Sequence, residues 1–202
     1  TCVAHEPADW VSHIALCNTT AAELEATLEF LKSLGVDDVS VAESPATGIA
    51  REAYLNMGFL ALSQKYPRVR FVDLNQEAFQ IFRITGGDEG PGTVRVSQLI
   101  ADPDTFVISL ARMKTHNCAI ATLSLKNVVM GAPIQDHGLP AKRNPTRTRM
   151  DKSIMHAWNQ GRNHQNLHDN MYMLAKQGIQ PDRAGIDGFE RMEGNGPCSG
   201  TP

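Results

Sequence analysis

Thr20-Ala21-Ala22-Glu23-Leu24-Glu25-Ala26-Thr27-Leu28-Glu29-Phe30-Leu31-Lys32-Ser33-Leu34-Gly35, followed by Asp38-Val39-Ser40-Val41-Ala42, decides the fold class. Thr20 and Glu23 have capping-box spacing, so a helix opens there and runs through Leu34. Leu24, Leu28 and Leu31 form its apolar stripe, and Gly35 is a natural stop. The alternation around Val39 and Val41 predicts a strand. Upstream lies a short apolar run, Ile14-Ala15-Leu16-Cys17. Downstream, Glu43 to Gly48 reads as a loop, a second helix extends to about Tyr66, and Val69 to Asp73 is the next strand. This β-loop-α-β rhythm predicts an α/β fold: a mainly parallel open sheet with helices on both faces.

The rhythm then changes. Phe79 to Ile84 and Thr93 to Val96 flank a Gly-rich tip, Thr85 to Gly92, which predicts a β-hairpin insertion over 79–96. Thr105 to Leu110 resumes the sheet. Cys118 to about Val129 reads as a helix with Asn117 as its N-cap. Met130 to Ser153 is a long, irregular, basic loop, the kind of segment that is usually functional or disordered. Asn163 to Gln177 is a helix with Leu167, Met171, Leu174 and Ala175 on one face. Arg183 to Asp187 is a last strand, running into Gly188.

The 202 residues suit one domain, and a chain of this size buries enough surface to fold without staples. The net charge of −3 supplies no global field for nucleic acid or a membrane surface, although Lys142, Arg143, Arg147, Arg149 and Lys152 cluster locally. No apolar run approaches a membrane span. With no secretory signal read at the N-terminus, the expected compartment is the cytoplasm. The chain starts at Thr1 and ends in a loop-like Gly196-Pro197 to Pro202 stretch, so a fragment of a longer protein is expected. Cys2, Cys17, Cys118 and Cys198 are dispersed and include no Cys-x-x-Cys pair, so no iron–sulfur cluster ligated by this chain is expected.

In open α/β sheets, ligands bind beyond the carboxyl ends of the strands. Glu43, Asp73, Lys114, His116 and Asp187 all follow or end predicted strands. Lys114-Thr115-His116-Asn117 also precedes a predicted helix, whose free N–H groups would favour an anion. Lys114 adds a full charge, Thr115 and His116 add donors, and Lys126 sits one helical turn after Thr122. On that helix Ala121, Leu125, Val128 and Val129 form the apolar side, so Lys126 is expected away from the core face, either solvated or lining a cleft. Cys118 reads as a small buried thiol rather than a nucleophile. His164 and His168 have the spacing of two ligands for a divalent metal, with His137, His156 and Asp169 as candidates for a third. Glu193-Gly194-Asn195-Gly196-Pro197 reads as a tight turn that can close over a ligand, with Glu193 as a base or cation partner and Asn195 beside it.

Three segments, in order, resemble the domain-of-unknown-function family 362: Ile108 to His116, Thr122 to Asn127, and Asp187-Gly188 to Glu193-Gly194-Asn195-Gly196-Pro197. A weaker likeness over Leu31 to Pro45 extends the resemblance across most of the chain. That family is widespread in bacteria and archaea, and many members carry an added ferredoxin-like iron–sulfur module. The resemblance implies one shared site of Lys114, His116, Lys126, Asn127, Asp187 and Glu193. It also implies a first strand with a lysine-proline-asparagine motif and chain beyond the Gly-Pro turn, and this sequence shows neither.

The leading expectation is a domain that binds a small carboxylate or phosphate around Lys114, His116 and Lys126. In its enzymatic version His116 moves a proton, the lysines stabilise negative charge, and Asp187 or Glu193 orients the imidazole or binds a cation. One alternative is a non-catalytic partner of an iron–sulfur module or other redox protein, docking through the basic loop. The other is the His164/His168 metal site.

Overall fold

The Thr20 hydroxyl accepts a hydrogen bond from the Glu23 N–H at 3.2 Å and starts helix α1, Ala21–Ser33. The computed structural model of the chain describes residues 17–45, 49–85, 90–136, 151–156, 163–196 and 201. Gly35 stops α1 at φ +76°, with its N–H on Lys32 O and the Val36 N–H on Leu31 O, both at 3.0 Å. That is the Schellman ending, which needs a residue at ease in the left-handed region. Leu24 and Leu28 bury one face of α1 against Tyr66, Val41, Phe71 and Leu110.

Strand β1, Ser40–Glu43, pairs in parallel with β2, Arg70–Asp73. The crossover contains α2, Ala50–Asn56, and a 3₁₀ turn, Phe59–Gln64. The predicted single helix to Tyr66 is broken at Gly58, whose φ is +74°. Tyr54 ties α2 to the sheet: its hydroxyl donates to Val72 O at 2.6 Å and lies 3.1 Å from Val41 O. Burial, then the Glu43 and Asp73 charges, push that phenol well above its ordinary value.

β3, Phe79–Ile84, and β4, Gly92–Ser97, form the predicted hairpin, paired antiparallel from Phe79↔Ser97 to Ile84↔Gly92. A short helix α3, Gln98–Ala101, leads to β5, Ile108–His116. β6, Ile120–Thr122, runs antiparallel to β5, and β7, Arg183–Met192, runs parallel to it on the other side. Between β6 and β7 come α4, Ser124–Gly131, α5, Asp151–His156, and α6, Asn163–Lys176. The larger core joins the hairpin to these helices: Val94, Val96, Val129, Met155, Leu167 and Leu174 are all at 0% exposure. Each such side chain contributes on the order of 1.5–3 kcal/mol on burial.

The fold is α/β, as the sequence predicts, but the single open sheet is divided among the described residues. They form a parallel pair, an antiparallel pair and a mixed three-stranded sheet. Three further expectations change. The helix predicted from Cys118 is replaced by a turn at Asn117–Ala119 and strand β6, because His116 pairs with Ile120 and the chain folds back on β5. The last strand does not stop at Asp187. It bulges outward opposite Arg112–Lys114 and continues to Met192, leaving Phe189 fully in solvent at 95% exposure. The ends of the basic loop are anchored: Arg95 holds Asp136 at 2.9 Å and Asp151 at 2.7 Å, and Lys152 donates to Met130 O at 2.5 Å. Residues 137–150 of that loop, the 86–89 hairpin tip and the Ile14-Ala15-Leu16 run lie outside the described residues.

The segment after β7 packs directly on β5. The Asn117 N–H donates to Gly196 O at 3.1 Å, and a Cβ on Gly196 would sit 2.1 Å from Thr115 O. Gly194, at φ +73°, faces open space. In urea unfolding, Gly194→Ala is expected to lose about 1–2 kcal/mol through its left-handed backbone alone. Gly196→Ala should lose more, because the obstruction is backbone and cannot rotate away. Equal losses would contradict the close approach.

Candidate functional site

Strands β1 and β5 face a cavity of about 1130 Å³. Glu43, Ser109, Arg112, Lys114, Thr122 and Asn127 are the polar residues on its wall that matter here. Arg112 and Lys114 lie two apart on one strand, so they share a face. Both are buried, at 3% and 6% exposure. Lys114 Nζ donates to Cys17 O at 2.6 Å. Arg112 forms a buried ion pair with Asp187 at 2.8 Å and a weaker one with the exposed Glu190 at 3.3 Å.

Asp187 is the organising acceptor. One of its oxygens takes the Thr20 N–H at 3.0 Å, the Thr20 hydroxyl at 2.9 Å and the Arg112 guanidinium at 2.8 Å. Burial alone would raise this carboxyl. The Thr20 donors and the Arg112 charge outweigh it and hold the pKa below the usual carboxylate value. Arg112 keeps one buried donor, Nε, without a partner, and Thr122 Oγ1 is likewise unpartnered. An unsatisfied buried polar group costs about 1–3 kcal/mol.

The other residues singled out in the sequence lie around this wall, not all on it. Asn127 reaches it from α4 and donates to Ser109 Oγ at 3.0 Å and to Leu110 O at 3.4 Å, locking the helix to β5. Lys126 is buried at 8% exposure, while Leu125 is 41% exposed. The predicted apolar side was therefore out of phase there, because α4 starts only at Ser124. His116 continues the Arg112–Lys114 face but is not among the cavity-lining residues. Its Nδ1 accepts the Cys118 N–H at 3.0 Å, which leaves Nε2 to carry the proton of the neutral ring. The ring stacks on His156 with centroids 6.2 Å apart. His156 Nδ1 in turn contacts Lys152 O at 2.7 Å. A carbonyl only accepts, so that nitrogen carries hydrogen.

Thr115 points to the opposite face and donates to Met192 O at 3.4 Å. Glu193 is exposed, pairs with Arg191 at 3.0 Å and bridges Thr201 through its backbone. Asn195 is exposed. Glu43 lines the cavity and pairs in register with Asp73. Burial, only partly offset by the Ala50 and Asn75 N–H groups, raises the Asp73 carboxyl, and the Glu43 charge adds to the rise. His168 is exposed on α6, and the His164 side chain lies outside the described residues, as does His137. Among the described residues no group of three or more His, Cys, Asp or Glu is placed to hold a metal ion. Cys17 and Cys118 are buried.

Sequence reasoning missed Arg112 as a site residue. Its signal is the alternation Arg112-Lys114-His116, hidden when the strand is ended at Leu110. Had β5 been carried through His116, Arg112 would have fallen on the face of Lys114.

The Asp187 shift fixes a pH dependence. Its folded pKa is below the unfolded value of about 3.9. The stabilisation is therefore complete above that value and is lost as pH falls through the lower folded one. Wild type should exceed Asp187→Asn in melting temperature at pH 7, and the gap should close toward pH 2. A gap independent of pH would contradict the ionised role of Asp187.

No curated protein and no solved structure matches the chain. The family model described as "Domain of unknown function (DUF362)" matches residues 10–202. It spans β1 through β7 and every site segment above, so the chain belongs to the DUF362 family.

Proposed function

We propose that the polar end of the β1–β5 cavity binds a small anion, a carboxylate or a phosphate, through Arg112, Lys114, Thr122 and Asn127. The observation that carries this reading is the placing of two buried cations, Arg112 and Lys114, on one cavity wall. A buried cationic site favours an anion strongly, because the local dielectric is low and the donors are already oriented. Asp187 neutralises part of the Arg112 charge while fixing the direction of its guanidinium. Thr122 pairs in register with Lys114 across β5 and β6, so its hydroxyl lies on the same face.

The reading is one of binding. His116, the imidazole suited to proton transfer, faces His156 instead of the cavity wall. The site is thus narrower than the Lys114/His116/Lys126 rim expected from sequence, and Arg112 takes the place of Lys126 as the second cation.

Isothermal titration of the full chain with inorganic phosphate and with succinate tests this, with glycerol as the uncharged control. Loss of one charge-assisted hydrogen bond costs about 1.5–3 kcal/mol. Lys114→Met should therefore weaken the preferred anion by about tenfold or more. Lys114→Arg, which keeps the charge, should retain measurable binding. Unchanged affinity in Lys114→Met, or no anion binding by wild type, would overturn the reading.

A further inference from the structure

Arg112 divides its guanidinium between two carboxylates of unlike standing. Nη1 donates to Asp187 at 2.8 Å and Nη2 to Glu190 at 3.3 Å. The Arg112 and Asp187 side chains are 1% and 4% exposed, while that of Glu190 is 61% exposed. The bound Asp187 oxygen is also held by both Thr20 donors. Its bond to Arg112 falls in the range of about 2.7–2.9 Å usual for charge-assisted hydrogen bonds, and the Glu190 bond lies outside it. An ion pair to an exposed carboxylate is worth little, because water and salt compete for it. Asp187 is thus the fixed partner of Arg112 and Glu190 the exchangeable one. The backbone around Glu190 permits the exchange. β7 is in register with β5 at Arg112↔Asp187 and again at Lys114↔Met192, so residues 188–191 bow out between these pairs. All four are exposed. The Glu190 side chain can turn into solvent while the paired residues on either side stay in place.

The planar guanidinium decides what that exchange does. A carboxylate or phosphate gripped bidentately needs two parallel N–H groups from one edge of the fork. The edges are Nη1 with Nη2, and Nε with Nη2. Asp187 holds Nη1, so a second anion gripped in this way uses Nε and Nη2. Nη2 is the atom that Glu190 touches. Arg112 lines the cavity, so an anion arriving there meets a carboxylate already seated on the edge it needs. Two like charges on one edge repel, so the two occupants exclude each other.

We propose that Glu190 is a built-in competitor for the anion site. Its carboxylate holds Nη2 of Arg112 in the free protein, and the carboxylate or phosphate of the ligand replaces it there, sending Glu190 into solvent. The inference rests on the anion reading above and adds the regulation of that site: its affinity is set by how firmly Glu190 holds Arg112.

Titration calorimetry of the full chain with succinate and with inorganic phosphate tests it, comparing wild type, Glu190→Gln, Glu190→Asp and Glu193→Gln. Glu190→Gln removes the competing charge. Glu190→Asp keeps the charge and shortens its reach by one methylene. Glu193, 59% exposed and paired with Arg191, controls for a nearby charge that does not touch Arg112. Both Glu190 variants should bind the anion about two- to fivefold tighter than wild type, the range set by the loss of an exposed ion pair. Glu193→Gln should bind as wild type does. Wild-type affinity in Glu190→Asp beside tighter binding in Glu190→Gln would reduce the effect to net charge and overturn the competition. Equal tightening in Glu193→Gln would do the same. Unchanged or weaker binding in both Glu190 variants, with wild type still binding, would also overturn it and leave the anion reading standing. Binding by none of the four proteins would take down that reading, and the competition with it.

Discussion

One carboxylate holds three parts of the molecule together. Asp187, near the middle of β7, takes both the backbone and the side-chain donor of Thr20 and the guanidinium of Arg112. Thr20 caps α1, so the position of that helix is fixed by a residue 167 positions away in sequence. Arg112 sits in the centre of β5, so the same oxygen also fixes the parallel β5–β7 register. Taking a charge out of water is costly, and a buried ion pair is tolerated only with good geometry and extra hydrogen bonds. Thr20 supplies those bonds here, which explains the lowered Asp187 pKa despite burial.

The candidate site follows from this knot. With Asp187 holding one terminal nitrogen, Arg112 cannot swing to solvent, and its Nε stays buried without a partner. Lys114, two residues on, is directed to the same side and held by the Cys17 carbonyl. The outward bulge of β7 opposite Arg112–Lys114 leaves room for Glu190 to reach Arg112 from the surface. Bulges commonly re-aim side chains next to functional sites. The tail then returns at Gly196 against Thr115, which brings the Gly-rich motif beside the Lys-Thr-His motif. Glu193 and Asn195 nevertheless remain in solvent on this path.

Local signals carried the readings that succeeded. The Thr20–Glu23 spacing, the Gly35 stop and the Val39/Val41 alternation each depend on a few adjacent residues, and α1 and β1 formed as those residues dictate. The Gly-rich tip between two alternating runs gave the β3–β4 hairpin for the same reason. The failures were tertiary. Asn117 looked like an N-cap, but cross-strand pairing of His116 with Ile120 prevailed, even at a positive φ of 63° for a β-branched residue. Such a conformation costs about 1–3 kcal/mol and persists only where its surroundings over-determine it. Lys126 is buried and Leu125 half-exposed, the reverse of the expected sides, because α4 begins only at Ser124 and the apolar count was started earlier. Arg112 went unnoticed because the apolar run ends at Leu110, while β5 continues through His116 on cross-strand pairing.

A double-mutant cycle on Arg112 and Asp187, read by urea unfolding of Arg112→Met, Asp187→Leu and the double variant, tests the central claim most directly. Each single variant leaves a buried group without its partner, and the double variant removes both. Strong non-additivity is expected, with a coupling of about 1–3 kcal/mol and a double variant far less damaged than the sum of the singles. Effects that add to within about 0.5 kcal/mol would show that the two residues act independently, and would contradict the knot on which the fold and the site are argued to depend.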